Sequence, residues 1–137
     1  MKIKTDFVTN SSSTCFILMT EDEFTLDKFL TAAGIDKDSP FQDMFQEIFK
    51  IFSDDLQPAR EFVHNHRWCK GRPFEQFVAE IFSENTLQRV KDAEARGMTV
   101  YMGDLYSDNG VLECLLCTNC FIIDGQGLVI DATNDGW

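Results

Sequence analysis

Three cysteines stand close together in the C-terminal third of the chain, in the segment Cys114-Leu-Leu-Cys117-Thr-Asn-Cys120. Thiolates at this spacing can chelate zinc or an iron–sulfur cluster. The segment HNHRWC offers two further ligands, the imidazole of His66 and the thiol of Cys69. Together these five residues form a predicted metal site. The expectation is a protein without a cofactor, and zinc is the alternative.

The same residues also fit a protein without a metal. If the HNHRWC segment is helical, His64 and His66 lie about 200° apart around the axis and cannot face one ion. His66 and Cys69 then share the apolar side of the helix, where core residues belong. Cysteine in a strand commonly acts as a small buried hydrophobe. A redox role for Cys117 and Cys120 is weakly supported, because strands are predicted on both sides of the pair rather than a helix N-terminus.

A second polar feature lies near the N-terminus, where hydroxyl and amide side chains follow one another between two apolar segments. This predicted recognition loop consists of Asn10, Ser11, Ser12, Ser13 and Thr14. Such residues hydrogen-bond their own backbone, so a turn between two strands is the simpler interpretation. A hydrolase that uses these hydroxyls is the least favoured alternative. It would require an imidazole beside the run, and the sequence has no G-x-S-x-G elbow.

The elements that must position these groups are short. Strands are predicted at 3–8 and 15–20, and helical apolar spacing begins near Leu26, Phe41, Pro58, Pro73 and Asn85. After Gly97 the segments MTVYMGDLY, VLECLLC, CFIID and LVIDAT have strand composition. Between them lie the turn sequences SDNG at 107–110 and DGQG at 124–127, which predict hairpins.

This order predicts an α+β fold in one domain, residues 1–137. A single antiparallel sheet combines the N-terminal strand or strands with a C-terminal β-meander, and four to five helices pack on one face of it.

Composition restricts the partners. The chain carries 23 acidic and 12 basic side chains, a formal charge of −11. The electrostatic field of this negative charge repels phosphate groups, so neither nucleic acid nor an anionic membrane is expected as a partner. An odd number of cysteines and no apolar segment of membrane length predict a reduced, cytoplasmic setting.

The opening stretch carries a resemblance. The segment DFVTNSSSTCFIL, which follows a short basic start, resembles the N-terminus of uncharacterised small proteins of bacteria and their phages. Those proteins begin with FV-x-N, a run of serines and a Phe-led apolar strand. The similarity covers about residues 2–18, and this chain departs from the pattern at Thr14 and Cys15. It implies no particular activity.

The favoured hypothesis is a cytoplasmic module that binds another protein, of basic character, through its acidic helix faces. No catalytic set is assembled in the sequence, so an enzyme is the less favoured interpretation. The alternatives are a zinc, iron–sulfur or thiol protein based on the Cys114 cluster and, last, the hydrolase. The sequence predicts no oligomeric state.

Overall fold

The computed structural model describes residues 13–66 and 71–133 of the chain. Within these ranges the strands are β1 (Ser13–Thr20), β2 (Gln57–Pro58), β3 (Thr99–Tyr106), β4 (Phe121–Gly125) and β5 (Leu128–Ala132). The helices are α1 (Leu26–Ala33), α2 (Gln42–Asp54), α3 (Ala59–Asn65), α4 (Phe74–Ile81), α5 (Glu84–Ala95) and α6 (Val111–Thr118). None of these helices is long and apolar enough to cross a membrane.

The described strands form one antiparallel sheet in the order β2-β3-β1-β5-β4. The predicted α+β fold with a single antiparallel sheet is therefore confirmed. The C-terminal strands do not form the predicted meander, because β1 pairs with β3 on one side and with β5 on the other. β4 and β5 form the hairpin predicted around the DGQG turn, in which Gly127 has a φ of 78°.

Helices cover both faces of the sheet, so the prediction that they pack on one face is wrong. Alternate residues of β1 point in opposite directions: Cys15, Ile17 and Met19 pack with α3, α4 and α5. Phe16 and Leu18 pack with α1, α2 and α6. Continuous apolar runs such as CFILM are typical of strands buried on both faces, so this run is a sequence feature that could have indicated the second helical layer.

The second correction concerns VLECLLC, which is helix α6 rather than a strand. Short apolar runs are ambiguous between strand and helix when judged from hydrophobicity alone. Leucine and glutamate favour the helix, and Cys117 supplies its buried contact with the α1/α2/α6 layer. The SDNG turn consequently leads from β3 into a helix.

Local chemistry explains where the other helices begin. α1 starts after Thr25, whose hydroxyl accepts from the Lys28 backbone N–H at 3.2 Å, as an N-cap should. α3 and α4 each follow a proline, Pro58 and Pro73, in agreement with the sequence. α5 begins at Glu84, one residue before Asn85, and is capped by Ser83, whose hydroxyl accepts from the Thr86 backbone N–H.

Candidate functional site

An apolar groove runs beside β4, the last strand of the sheet on the α1/α2/α6 side. It has a volume of about 370 Å³. We call it the β4 groove, and its principal apolar walls are Ala32, Phe45, Ile48, Leu116, Phe121 and Ile123. One helix or strand alone could not form it, since α1, α2, α6 and β4 each contribute a wall.

Close packing at one end of β4 fixes the position of α1 against the strand. A Cβ atom at Gly125 would lie 2.5 Å from the Ala32 Cβ atom. This glycine is therefore required for a close approach of the helix. At the other end the ring of Phe121 lies 6.1 Å from that of Phe52, centroid to centroid. The strand is thus anchored at both ends, with the groove in between.

Apolar side chains of β4, α6 and α2 are exposed to solvent. Ile122 on β4 is 41% exposed and Leu115 on α6 is 53% exposed. Phe41, the residue before α2, and Met44 in its first turn are exposed as well, whereas Phe45, Phe49 and Phe52 pack in the α1/α2/α6 layer.

A polar cluster lies on the opposite, α3–α5, side of the sheet. The His66 Nε2 atom is 3.3 Å from Asp104 Oδ1, and the Tyr106 hydroxyl donates to Asp104 Oδ2 at 3.2 Å. Burial raises the pKa of Asp104, and the neighbouring carboxylate of Asp55 adds to that effect. The charge of His66 and the hydrogen bonds from Tyr106 and His66 oppose it. The arrangement can hold an imidazole in a fixed orientation for proton transfer.

The beginning of β1 lies beside the polar cluster. Ser13 pairs with Tyr106 and Cys15 pairs with Asp104, and paired residues of adjacent strands point to the same face. Of the predicted recognition loop, Ser13 and Thr14 are the first residues of a strand, whereas Asn10, Ser11 and Ser12 lie outside the described residues. His64 is exposed on α3. The hydrolase alternative, which requires an imidazole near the serines, stays a prediction.

The predicted metal ligands lie on different sides of the sheet. His66 belongs to the α3–α5 side, next to Phe62 at 4.8 Å between ring centroids, whereas Cys117 is buried in the α1/α2/α6 layer. Cys114 and Cys117 are three residues apart on α6 and so share one side of the helix. Cys120 is exposed just after it.

Cys69 lies outside the described residues. Over 13–66 and 71–133, no three His, Cys, Asp or Glu side chains are grouped closely enough to hold an ion. The zinc site remains a prediction that rests on the thiols of α6.

Two inward-facing carboxylates, Asp104 and Asp131, were not among the residues predicted from the sequence. Each occupies an inward position of a strand: Asp104 continues the series Val100, Met102. A charged residue in a series of buried apolar residues is the one sequence feature that could have identified them.

Comparison with protein family models, with curated proteins and with solved structures gave no match for this chain.

The raised pKa of Asp104 predicts a measurable pH effect. A carboxyl group whose folded pKa exceeds its ordinary value of 3.8 favours folding below that pH. The favourable contribution is lost as the pH rises through the folded pKa. Asp104→Asn removes this pH-dependent contribution to stability and retains an oxygen that accepts from the Tyr106 hydroxyl. We therefore expect the variant to gain stability relative to the parent protein as the pH rises above 3.8.

Urea unfolding at a series of pH values checks this expectation. The matched control is Asp108→Asn, which makes the same change at an exposed turn position outside the Asp104–His66–Tyr106 cluster. A stability difference for Asp104→Asn that falls with rising pH would show that the carboxylate is stabilised rather than penalised by its surroundings.

Proposed function

We propose that this protein is a binding module that takes an extended, basic segment of another protein as an additional strand beside β4. The observation that carries the proposal is the position of β4. In the part of the chain that the structure describes, β4 is the outermost strand, hydrogen-bonded to β5, and it is flanked by the β4 groove. Addition of a strand to an exposed sheet edge is a recurrent mode of peptide recognition.

The composition of β4 supports this assignment. Natural proteins protect edge strands with lysine, proline or bulges that prevent another chain from pairing. β4 has the sequence FIIDG, which contains neither lysine nor proline, and its apolar Ile122 is exposed. Its single charge is the carboxylate of Asp124, which is exposed. This edge can accept a strand, and it favours one with positive charge.

Strand alternation specifies the partner further. Phe121 and Ile123 point toward the β4 groove, so Ile122 and Asp124 point to the other face. A strand laid beside β4 places its side chains on the same two faces. The partner should therefore alternate apolar residues, which enter the groove, with lysine or arginine, which lie opposite Asp124. The overall charge of −11 steers such a segment toward the protein.

The test uses three capped peptides, of alternating lysine and valine, lysine and serine, or glutamate and valine. We expect the lysine–valine peptide to bind, measured by isothermal titration calorimetry. The lysine–serine peptide, which has the same charge and no apolar face, should bind at least tenfold more weakly. The glutamate–valine peptide should not bind. Equal binding of both lysine peptides would mean attraction by net charge alone and would overturn the proposal.

A pair of variants locates the contact. Asp124→Asn and Glu61→Gln each remove one negative charge, the first on β4 and the second at an exposed position of α3. An exposed charge pair contributes about 0.2–1 kcal/mol, so Asp124→Asn should weaken binding of the lysine–valine peptide about threefold. Glu61→Gln should leave it unchanged. Equal effects of the two variants would contradict binding at β4.

A further inference from the structure

A second recess lies on the α3–α5 side of the sheet, where α5 passes over the β4–β5 hairpin. We call it the arginine cleft, since Arg89 and Arg96 line it together with Asp92, Met19, Met98 and Val129. Its volume is about 230 Å³. That is smaller than the pockets that hold drug-sized molecules, so the cleft suits a ligand the size of an amino acid.

The two arginines differ from others in the protein. Arg60 donates to both carboxylate oxygens of Glu94, at 3.3 and 2.9 Å, and Arg72 donates to Glu80 at 3.1 Å. By contrast, Arg89 lies 4.0 Å from Asp131 and Arg96 lies 3.8 Å from Glu21. Neither distance is a hydrogen bond. The cleft therefore contains guanidinium groups that donate no hydrogen bond to the described residues.

The carboxylate nearest to Arg89 receives its hydrogen bonds from other groups. Asp131 is fully buried and accepts hydrogen bonds from the Thr86 hydroxyl at 2.8 Å and from the Thr133 backbone N–H at 2.9 Å. The Thr133 hydroxyl donates to it as well. Asp131 therefore takes its hydrogen bonds from these groups, and Arg89 pairs with it through charge alone, at 4.0 Å. The N–H donors of Arg89 are thus available to hydrogen-bond a ligand.

The cleft also contains a carboxylate, that of Asp92. Asp92 is three residues further along α5, a spacing at which opposite charges can pair directly. In the described structure these two do not form an ion pair within 4.0 Å, and Asp92 instead accepts from the Gln88 amide at 2.9 Å through one oxygen. A guanidinium and a carboxylate thus line one cleft, whose apolar lining includes Met19 and Val129.

We propose that the arginine cleft binds a free α-amino acid with an apolar side chain. The ligand's carboxylate accepts from the guanidinium of Arg89, its ammonium group donates to Asp92, and its side chain lies on Met19 and Val129. The charges favour a zwitterion over a simple anion: phosphate would meet Arg89 and Arg96 but also Asp92 and Asp124, which line the same cleft. A guanidinium–carboxylate contact gives directed, two-point recognition of this kind of group.

The test is calorimetric titration of the full chain with L-leucine, N-acetyl-L-leucine, L-leucinamide and inorganic phosphate. L-leucine should bind, and either blocked form should bind at least tenfold more weakly because each lacks one of the two charges. No binding of L-leucine, equal binding of a blocked form, or tighter binding of phosphate would each overturn the proposal.

Variants show where the ligand sits. Arg89→Gln and Asp92→Asn should each weaken L-leucine at least tenfold, and Arg60→Gln, an arginine outside the cleft, should not. An unchanged affinity in Arg89→Gln would contradict the assignment. The comparison of blocked ligands on the unmodified protein keeps the test valid if a variant fails to fold. None of these measurements involves the peptides used for β4, so the two proposals fail or succeed separately.

Discussion

Phe52→Ala is expected to lower the free energy of unfolding by about 3–5 kcal/mol, the range for removal of a buried aromatic ring from a packed core. Phe52 is 0% exposed. Its ring centroid lies 4.9 Å from that of Phe16, 5.9 Å from that of Phe29 and 6.1 Å from that of Phe121. It therefore joins β1, α1 and β4 through α2, and the alanine variant leaves a cavity among all four elements.

Urea unfolding followed by circular dichroism measures the effect. Phe41→Ala is the matched control, because it makes the same change at a position that is 57% exposed. Surface substitutions away from special features usually change stability by less than about 0.5 kcal/mol. Similar losses in the two variants would show that the phenylalanine cluster is not the packed core of the α1/α2/α6 layer.

Gly125→Ala is expected to destabilise the protein by about 1–3 kcal/mol, the usual cost of adding volume where the packing leaves no room. The new Cβ atom would lie 2.5 Å from Ala32 Cβ and 2.6 Å from Ala32 Cα. Both distances are far below van der Waals contact, and one of the atoms is backbone. Helix α1 must move away from β4, which changes a wall of the β4 groove, so binding of the lysine–valine peptide should weaken as well.

A double-mutant cycle isolates this contact. Ala32→Gly removes the nearer of the two obstructing atoms but leaves Ala32 Cα in place, so it should recover only part of the loss caused by Gly125→Ala. The single Ala32→Gly change costs about 1 kcal/mol through helix propensity. Strictly additive effects of the two substitutions would mean that α1 does not press on β4 at this point.

The sequence predicted the elements better than their arrangement. The α+β class, the single antiparallel sheet, the DGQG hairpin and the starts of α3 and α4 follow from patterns that act over a few residues. The position of β1 between β3 and β5 depends on pairings between residues far apart in the chain, such as Leu18 with Tyr101 and with Ile130. Local spacing contains no information on such a pairing.

The two candidate sites were hidden for a related reason. Ala32, Phe45, Leu116 and Phe121 are ordinary apolar residues, and only their assembly around β4 creates a groove. Asp104 and His66 are 38 positions apart in the chain and meet only because α3 packs on β3. The error over α6 arose because an apolar run of strand length favours both kinds of element.

Hydrogen exchange at β4 tests the central claim most directly. Amide exchange is followed residue by residue with NMR spectroscopy, with and without the lysine–valine peptide. A strand added to β4 must hydrogen-bond the outward-facing backbone groups of residues 121–125, so their amides should exchange more slowly with this peptide and not with the lysine–serine peptide. Slowing confined to the acidic helix faces, with β4 amides unchanged, would contradict the proposal that this edge is the binding site.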